Sequence, residues 1–342
     1  MRKGLRFLAV GAAAFGLVGL LPAAAQDDVF RVAAVSPSAI NDLAFSQSMF
    51  EALTMLDEEM GDAFEFTFQD GTFVVDDAAV ALRDWASSGE YDLVIAHGSQ
   101  YGSVVEELAN EFPEVAFAWG TDVNTFGLPN VSAYTVAAEQ GGYINGALAA
   151  ILSETGNIGV IGPIEVGDAK LYVDGFVSGV GATDPDATVN VTYIQSFGDV
   201  PLATEAATAF VSNGADVLSG TAQMVVGPIG VALENDLLWF GTQSSQAELA
   251  AEAGVAFQVY RWDVVLRDLI ADIGEGTLGG ESYVLTLENG GIEMEVSEFT
   301  GLDEETLATV EETIAALSEG IISGEIVPLP ELEATPEATP AS

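Results

Sequence analysis

The chain has 342 residues, 49% of them hydrophobic, with no cysteine and a formal charge of −45 at pH 7. This length and hydrophobic content are typical of a protein with two domains, each with its own core. The acidic surface repels phosphate backbones, which argues against nucleic acid as a partner, and the lack of cysteine excludes disulfides, thiolate metal sites and cysteine nucleophiles.

The N-terminus has the layout of a cleaved export signal. A basic start precedes an apolar run from Phe7 to Leu21, and Pro22 and three alanines ending at Ala25 follow it. We therefore expect a signal peptide over residues 1–25 and a mature protein in the periplasm or outside the cell. A retained membrane anchor is the alternative, but the apolar run is short for a bilayer. No cysteine follows the run, so we expect no lipid anchor.

The segment after the signal alternates short apolar strands with amphipathic helices. We predict strands at 30–36, 64–68, 93–97, 115–119 and 130–136, and helices at 43–60, 78–86 and 103–110. The strands are almost continuously apolar, which is typical of a parallel sheet that is buried on both faces.

The same alternation begins again in the second half of the chain. We predict strands at 157–162, 189–194, 215–220, 237–242 and 255–259. We predict helices at 139–152, 201–212, 228–235 and 262–273, and a further helix that follows the strand at 157–162 and runs through Phe176. Two such sets indicate an α/β protein with two Rossmann-like lobes, each built on a parallel sheet. The tail over 328–342 contains four of the twelve prolines and cannot bury a core, so we expect it to be disordered.

The candidate site lies where the predicted strands end, because open parallel sheets bind ligands beyond the carboxyl ends of their strands. The segments at these ends are rich in Gly, Ser, Thr, Gln, Asn and aromatic residues, as in SPSAINDLAFSQ, HGSQYG and GTQSSQ. Such a composition favours a small polar ligand, uncharged or zwitterionic, with a flat ring.

His97 is the single histidine of the chain and follows an apolar strand. It has no partner residues for a metal site, and no serine lies in a nucleophile turn of the G-x-S-x-G type. The interpretations that remain are a hydrogen-bonding group on the pocket wall and a structural histidine. A secreted hydrolase that uses His97 as its base is a rival hypothesis. We expect no metal and no cofactor.

The sequence NDLAFSQ at 41–47 resembles the D-D-x-S-F-N-Q opening of the basic membrane protein family. Members of this family are substrate-binding components of ABC importers and include purine nucleoside receptors. The likeness continues through YDLVIAHGSQYG at 91–102 and through the block at 130–162, and it covers roughly residues 30 to 295.

The resemblance implies a type I periplasmic binding fold with a hinge between its lobes, near Val136 to Ala138 and near Gln258 to Arg261. The N-terminal lobe would comprise 27–136 plus about 259–295, and the C-terminal lobe 137–258 plus about 296–327. The implied partners are a small-molecule ligand and the permease and ATPase subunits of an importer, and the protein would be a monomer. A ligand sensor without a transport role is the alternative function.

The resemblance also implies a binding site. Phe45 and Phe197, one from each lobe, would stack on the two faces of a flat base, while Gly220 falls at a glycine-rich turn. Polar contacts would come from a further set: Asp42, Ser46, Gln47, His97, Gln100, Asp122, Gln223 and Gln243. Trp262 would make a contact that closes the lobes. Core packing is the alternative role for Phe45, Phe197 and Trp262.

Three positions depart from the family pattern: Ser46, Gln243 and Tyr260 replace the family's asparagine, aspartate and lysine. In nucleoside-binding members the acidic and basic groups help to hold the ribose. These departures bear on recognition of the ribose and leave recognition of the base unchanged. The expected ligand is a purine nucleobase or nucleoside, with another small ring compound as the alternative.

Overall fold

The computed structural model describes residues 29–329. The signal peptide predicted over 1–25, and the predicted tail from residue 330 onward, lie outside the described residues. None of the helices within residues 29–329 combines the length and the apolar character that a membrane crossing requires.

Strands and helices alternate through most of the described chain. The strands are β1 (Phe30–Val35), β2 (Phe64–Gln69), β3 (Leu93–His97), β4 (Ala116–Gly120), β5 (Val131–Val136), β6 (Asn157–Gly162), β7 (Thr188–Tyr193), β8 (Val217–Gly220), β9 (Leu238–Thr242), β10 (Gly254–Tyr260), β11 (Ser282–Leu285) and β12 (Ile292–Val296). The α-helices are α1 (Phe45–Met60), α2 (Val75–Ser88), α3 (Gly102–Glu111), α4 (Glu139–Leu152), α5 (Gly167–Thr183), α6 (Val200–Ser212), α7 (Val226–Glu234), α8 (Ala247–Ala250), α9 (Trp262–Gly274) and α10 (Glu304–Ile322).

The strands form two six-stranded sheets, one in each lobe. The first has the order β11-β5-β4-β3-β1-β2, and all of its strand pairs are parallel. The second has the order β12-β10-β9-β8-β6-β7 and is parallel except for the pair of β10 with β12. The predicted α/β fold with two lobes is confirmed.

The chain passes between the lobes after β5, after β10 and again between β11 and β12. The first two crossings coincide with the two expected hinge segments. The third differs from the expectation that all of 259–295 returns to the first lobe, because β12 pairs antiparallel with β10 in the second sheet. Without β12, β10 would be an edge strand with unpaired backbone groups, and the antiparallel strand covers that edge.

Helices α4 and α5 of the second lobe approach each other so closely that their contact requires glycine. The glycines at this contact are Gly142, Gly146, Gly175 and Gly179. A Cβ at Gly146 would lie 2.0 Å from the carbonyl oxygen of Phe176, and one at Gly179 would lie 2.0 Å from that of Tyr143. Because these obstacles are backbone atoms, a side chain at either position would force the helices apart.

Replacing Gly146 with alanine should therefore destabilise the second lobe. The added methyl group meets a carbonyl that rotamer changes cannot move, and overpacking of this kind costs about 1–3 kcal/mol or more. Urea unfolding of the wild type and of Gly146→Ala, followed by circular dichroism, measures the difference in the free energy of unfolding.

Gly181 supplies the matched control, since it lies on α5, the partner helix in this contact, and no atom would lie within 4 Å of an added Cβ. Gly181→Ala should be neutral or stabilise the protein by about 0.5–1 kcal/mol, because alanine favours the helix. Equal unfolding midpoints for the two variants would contradict the close contact of α4 with α5.

Candidate ligand-binding site

A cavity of about 200 Å³ lies between the lobes, where the carboxyl ends of strands from both sheets face each other. The first lobe contributes loops that follow β1, β2, β3 and β4, and the second contributes loops that follow β6 to β9 together with the end of β10. The cavity is thus at the place where a pair of open parallel sheets is expected to hold a ligand.

Phe45 and Phe197 line this cavity from opposite lobes. Phe45 is the first residue of α1, and Phe197 lies in the loop between β7 and α6. Both side chains are partly buried, so each keeps some surface for a ligand. The cavity therefore has an aromatic ring from each lobe.

Phe45 is held in place by a cluster of buried aromatic rings. Its ring stacks on His97 with the centroids 3.9 Å apart and the planes 9° from parallel. The edge of Trp262 contacts it from another side, at a centroid distance of 5.8 Å. The position of the Phe45 ring is therefore fixed before any ligand binds.

His97 is fully buried behind Phe45 and does not line the cavity. Its Nε2 lies 3.3 Å from the carbonyl oxygen of Phe45, and its Nδ1 lies 2.8 Å from the hydroxyl oxygen of Tyr134. Burial lowers the pKa of His97 to about 3, so the imidazole is neutral at neutral pH. A carbonyl can only accept, so Nε2 donates to Phe45 and Nδ1 accepts from the Tyr134 hydroxyl.

Both nitrogens of His97 are therefore engaged in the protein's own hydrogen bonds. This arrangement corresponds to the structural histidine among the alternatives that the sequence leaves open. The hydrolase hypothesis requires a base that reaches the cavity, and His97 has no such access.

Trp262 is fully buried at the start of α9 and likewise does not line the cavity. Its indole nitrogen donates to the hydroxyl of Ser48 on α1 at 2.9 Å. Its edge also contacts the rings of His97 and Tyr134. Trp262 therefore joins α9 to α1, and it also contacts the ring of Tyr260 in the second-lobe wall at a centroid distance of 5.4 Å. The lobe-closing role that the resemblance implied for Trp262 stays a prediction.

Asp42 organises the loop that leads into α1. One carboxylate oxygen accepts from the backbone N–H of Ala44 at 2.8 Å and of Gln47 at 3.1 Å, and the other accepts from the N–H of Ser46 at 3.2 Å. The hydroxyl of Ser38 donates to the same carboxylate. Asp42 thus satisfies backbone donors at the start of the helix and does not line the cavity.

Ser46 and Gln47 also support this loop and do not line the cavity. The Ser46 hydroxyl is buried and bonds to the hydroxyl of Ser36 at 2.6 Å. The side-chain carbonyl of Gln47 accepts from the N–H of Leu43 at 2.9 Å. Three residues that the resemblance implied as ligand contacts therefore hold the segment that carries Phe45.

Two further predicted residues lie beside the cavity without lining it. Asp122 accepts from the backbone N–H groups of Val123 and Asn124, and so shapes its own loop. A Cβ at Gly220 would lie 3.0 Å from the carbonyl oxygen of Ile161 within the second sheet. Of the twelve predicted residues, those that line the cavity are Phe45, Gln100, Phe197, Gln223 and Gln243.

The cavity lining also contains residues that were not predicted as site residues, among them Phe73, Asp168 and Tyr260. Phe73 follows β2 and is 60% exposed. An aromatic residue just after a predicted strand is visible in the sequence and could have identified Phe73 as a candidate. Asp168 lies in the strand-end segment GPIEVGD, but one acid among 53 gives no signal by composition. Tyr260 stands where the family has a lysine, and no contact with the ligand was predicted for it from the sequence.

Asp168 and Tyr260 are neighbours in the second-lobe wall. Burial raises the pKa of the Asp168 carboxyl, and the nearby Tyr260 hydroxyl partly offsets this. Burial, together with the charge of Asp168, holds the pKa of Tyr260 well above its usual value. Within residues 29–329 the structure brings together no cluster of three His, Asp or Glu side chains that would suit a metal ion.

One hydrogen bond crosses between the loops of the two lobes. The side-chain amide of Gln246, which follows β9, donates to the carbonyl oxygen of Leu43 in the β1–α1 loop at 3.1 Å. Leu43 has a positive φ of 56°. This contact has no local signature in the sequence, because it joins residues that are 203 positions apart.

A family description, "ABC transporter substrate-binding protein PnrA-like", matches residues 29–329. A purine-binding protein of Brucella abortus is 25% identical over 87% of this chain and 83% of its own length. A putative ABC transporter glucose-binding protein of Haloferax volcanii is 22% identical over 88% of this chain and 74% of its own. The structure of an ABC transporter solute-binding protein from Conexibacter woesei, 26% identical, superposes with a TM-score of 0.73 over 88% of this chain and 99% of that one.

The burial of His97 predicts a specific dependence of stability on pH. The unfolded chain takes up a proton at this residue as the pH falls below about 6.5, whereas the folded protein does so only near pH 3. Stability from this residue is therefore complete above pH 6.5 and is lost as the pH falls toward 3. Between pH 7 and pH 5 the loss should be about 2 kcal/mol.

Urea unfolding at pH 7 and pH 5 of the wild type and of His97→Asn measures this loss. The variant keeps a polar side chain but cannot titrate, so its free energy of unfolding should fall by about 2 kcal/mol less than that of the wild type over the same interval. The carboxylates contribute equally to both proteins. Parallel pH profiles would show that His97 is not held neutral.

Proposed function

The chain belongs to the family of PnrA-like ABC transporter substrate-binding proteins, and we propose that it binds a purine nucleobase or nucleoside between its two lobes. The observation that carries this proposal is the placement of Phe45 and Phe197 on opposite sides of one cleft. Closure of the lobes brings an aromatic ring from each onto a flat ligand.

Stacking accounts for part of the binding energy. Each aromatic contact contributes about 0.5–1.5 kcal/mol beyond the burial of area. Gln100, Gln223 and Gln243 supply amides that can donate to and accept from the edge of a base. The cavity of about 200 Å³ is smaller than the ~300–1,000 Å³ typical of sites for drug-sized molecules, so it suits a ligand of one or two small rings.

The relative from Brucella abortus, described as purine-binding, supports a purine over other small rings. The relative from Haloferax volcanii, described as glucose-binding, favours a second candidate, a hexose. A sugar offers hydroxyl groups around its whole edge and needs several polar partners. The aromatic and amide lining described above agrees better with a base, which has two flat faces and a polar rim.

We further propose that the protein is exported, acts as a monomer and delivers its ligand to the permease and ATPase subunits of an importer. The export-signal layout of residues 1–25 and the family's role in ABC transport support this proposal. The permease would read the closed form of the lobes, so ligand affinity and recognition by the permease are coupled through closure.

Loss of either stacking ring should weaken binding. Phe45→Ala and Phe197→Ala are each expected to lower the affinity for a purine about tenfold, because both stacking and buried area are lost. Isothermal titration calorimetry with adenine, guanine, adenosine and guanosine measures the change.

Phe68→Ala is the matched control, because Phe68 is also partly buried but packs on Phe50 outside the cavity. Its purine affinity should equal that of the wild type. The proposal fails if the wild type binds glucose but none of the four purines, or if both cavity variants bind purines as tightly as the control.

A further inference from the structure

The cavity has one charged side chain in its lining, the carboxylate of Asp168. The basic residues within 29–329 are Arg31, Arg83, Lys170, Arg261 and Arg267, and each is in an ion pair with an acidic side chain elsewhere. Lys170, two residues from Asp168 in sequence, pairs with Asp174. The cleft therefore offers a ligand a negative charge and no cation to balance it.

Tyr260 lies beside Asp168 and is only 5% exposed. Its hydroxyl has no hydrogen-bond partner among the described residues, although it belongs to a side chain that lines the cavity. A buried hydroxyl without a partner destabilises the empty protein, and a ligand that bonds to it removes this penalty. Asp168 and Tyr260 are thus neighbouring residues in one part of the cavity wall, and the Tyr260 hydroxyl is buried just behind its surface.

We propose that Asp168 and Tyr260 form one subsite that recognises an amino group on the ligand. This inference rests on the proposed function and specifies which purines the site selects. Neither residue is among those for which the sequence implied a contact with the ligand.

The chemistry of the two groups decides which ligand edge fits. An ionised carboxylate only accepts hydrogen bonds, and those that it accepts from N–H donors are stronger than bonds between neutral groups. The Tyr260 hydroxyl can donate to a ring nitrogen next to an amino group. A ligand carbonyl in the same place would direct its lone pairs at the carboxylate, and a phosphate would add negative charge where no cation lies. The subsite therefore selects amino-bearing bases over oxo-bearing ones and over nucleotides.

Two pairs of bases test this selection in the wild type. Adenine and purine differ only by the 6-amino group, and guanine and xanthine differ by an amino group against a carbonyl. Within each pair, calorimetry should show that the amino-bearing base binds at least tenfold more tightly than the other base. In Asp168→Ala the ratio should fall to within about threefold.

Asp186→Asn is the control for the change of net charge, because Asp186 is exposed at the end of α5 and away from the cavity. It should leave both ratios as in the wild type. Tyr260→Phe should weaken binding of the amino-bearing base about threefold to tenfold without lowering the thermal midpoint of the empty protein. A lower midpoint would indicate that the hydroxyl is structural and would overturn its part in the subsite.

The outcomes separate the two proposals. A wild type that binds the bases without regard to the amino group, or a preference that survives Asp168→Ala, overturns the subsite and leaves purine binding in place. A wild type that binds none of the four bases overturns the subsite, and one that also binds neither adenosine nor guanosine overturns both.

Discussion

The binding site depends on a histidine that stays uncharged. The His97 ring is stacked on Phe45, and a proton on Nδ1 would face the hydroxyl oxygen of Tyr134 at a position that is fully buried from water. Because burial holds the imidazole neutral, the ring can act as an aromatic support, fixed in one tautomer by Tyr134 and by the backbone of Phe45 itself. The stacking wall is thus organised before binding, which reduces the entropy that a ligand must overcome.

The second lobe positions its side of the cavity by backbone packing. Helix α5 cannot slide against α4, because carbonyl oxygens of each helix lie over glycines of the other. Asp168 is in the first turn of α5, so its distance from Tyr260 at the end of β10 is set by this contact. The proposed polar subsite therefore depends on a close backbone contact farther along the same helix.

The sequence was sufficient for the fold because its signals are periodic: apolar runs of strand length alternate with helical spacing, and only a few topologies accommodate that order. It was less informative about the site. The resemblance pointed to loops that border the cavity and to two rings that line it, Phe45 and Phe197. The direction of each polar side chain, however, depends on local hydrogen bonds. Asp42 and Ser46 turn back to their own loop for that reason.

Two other features had no sequence signal because they depend on distant partners. The unbalanced charge of Asp168 in the cleft is one of them, because it depends on the five basic side chains within residues 29–329 each being paired elsewhere. The second feature is β12, which covers the edge of β10 by antiparallel pairing. The sequence of β12 alone does not show which strand it pairs with.

The hydrogen bond from Gln246 to Leu43 bears on how long a ligand stays bound. One such amide bond contributes only about 0.5–1.5 kcal/mol, so it shifts the balance between shut and open shapes by roughly tenfold at most. We therefore expect the empty protein to populate both shapes, and a bound ligand to add closing energy through its own contacts. The residence time of the ligand is then set by the rate at which the lobes open. A permease that recognises only the closed conformation would also bind some ligand-free protein.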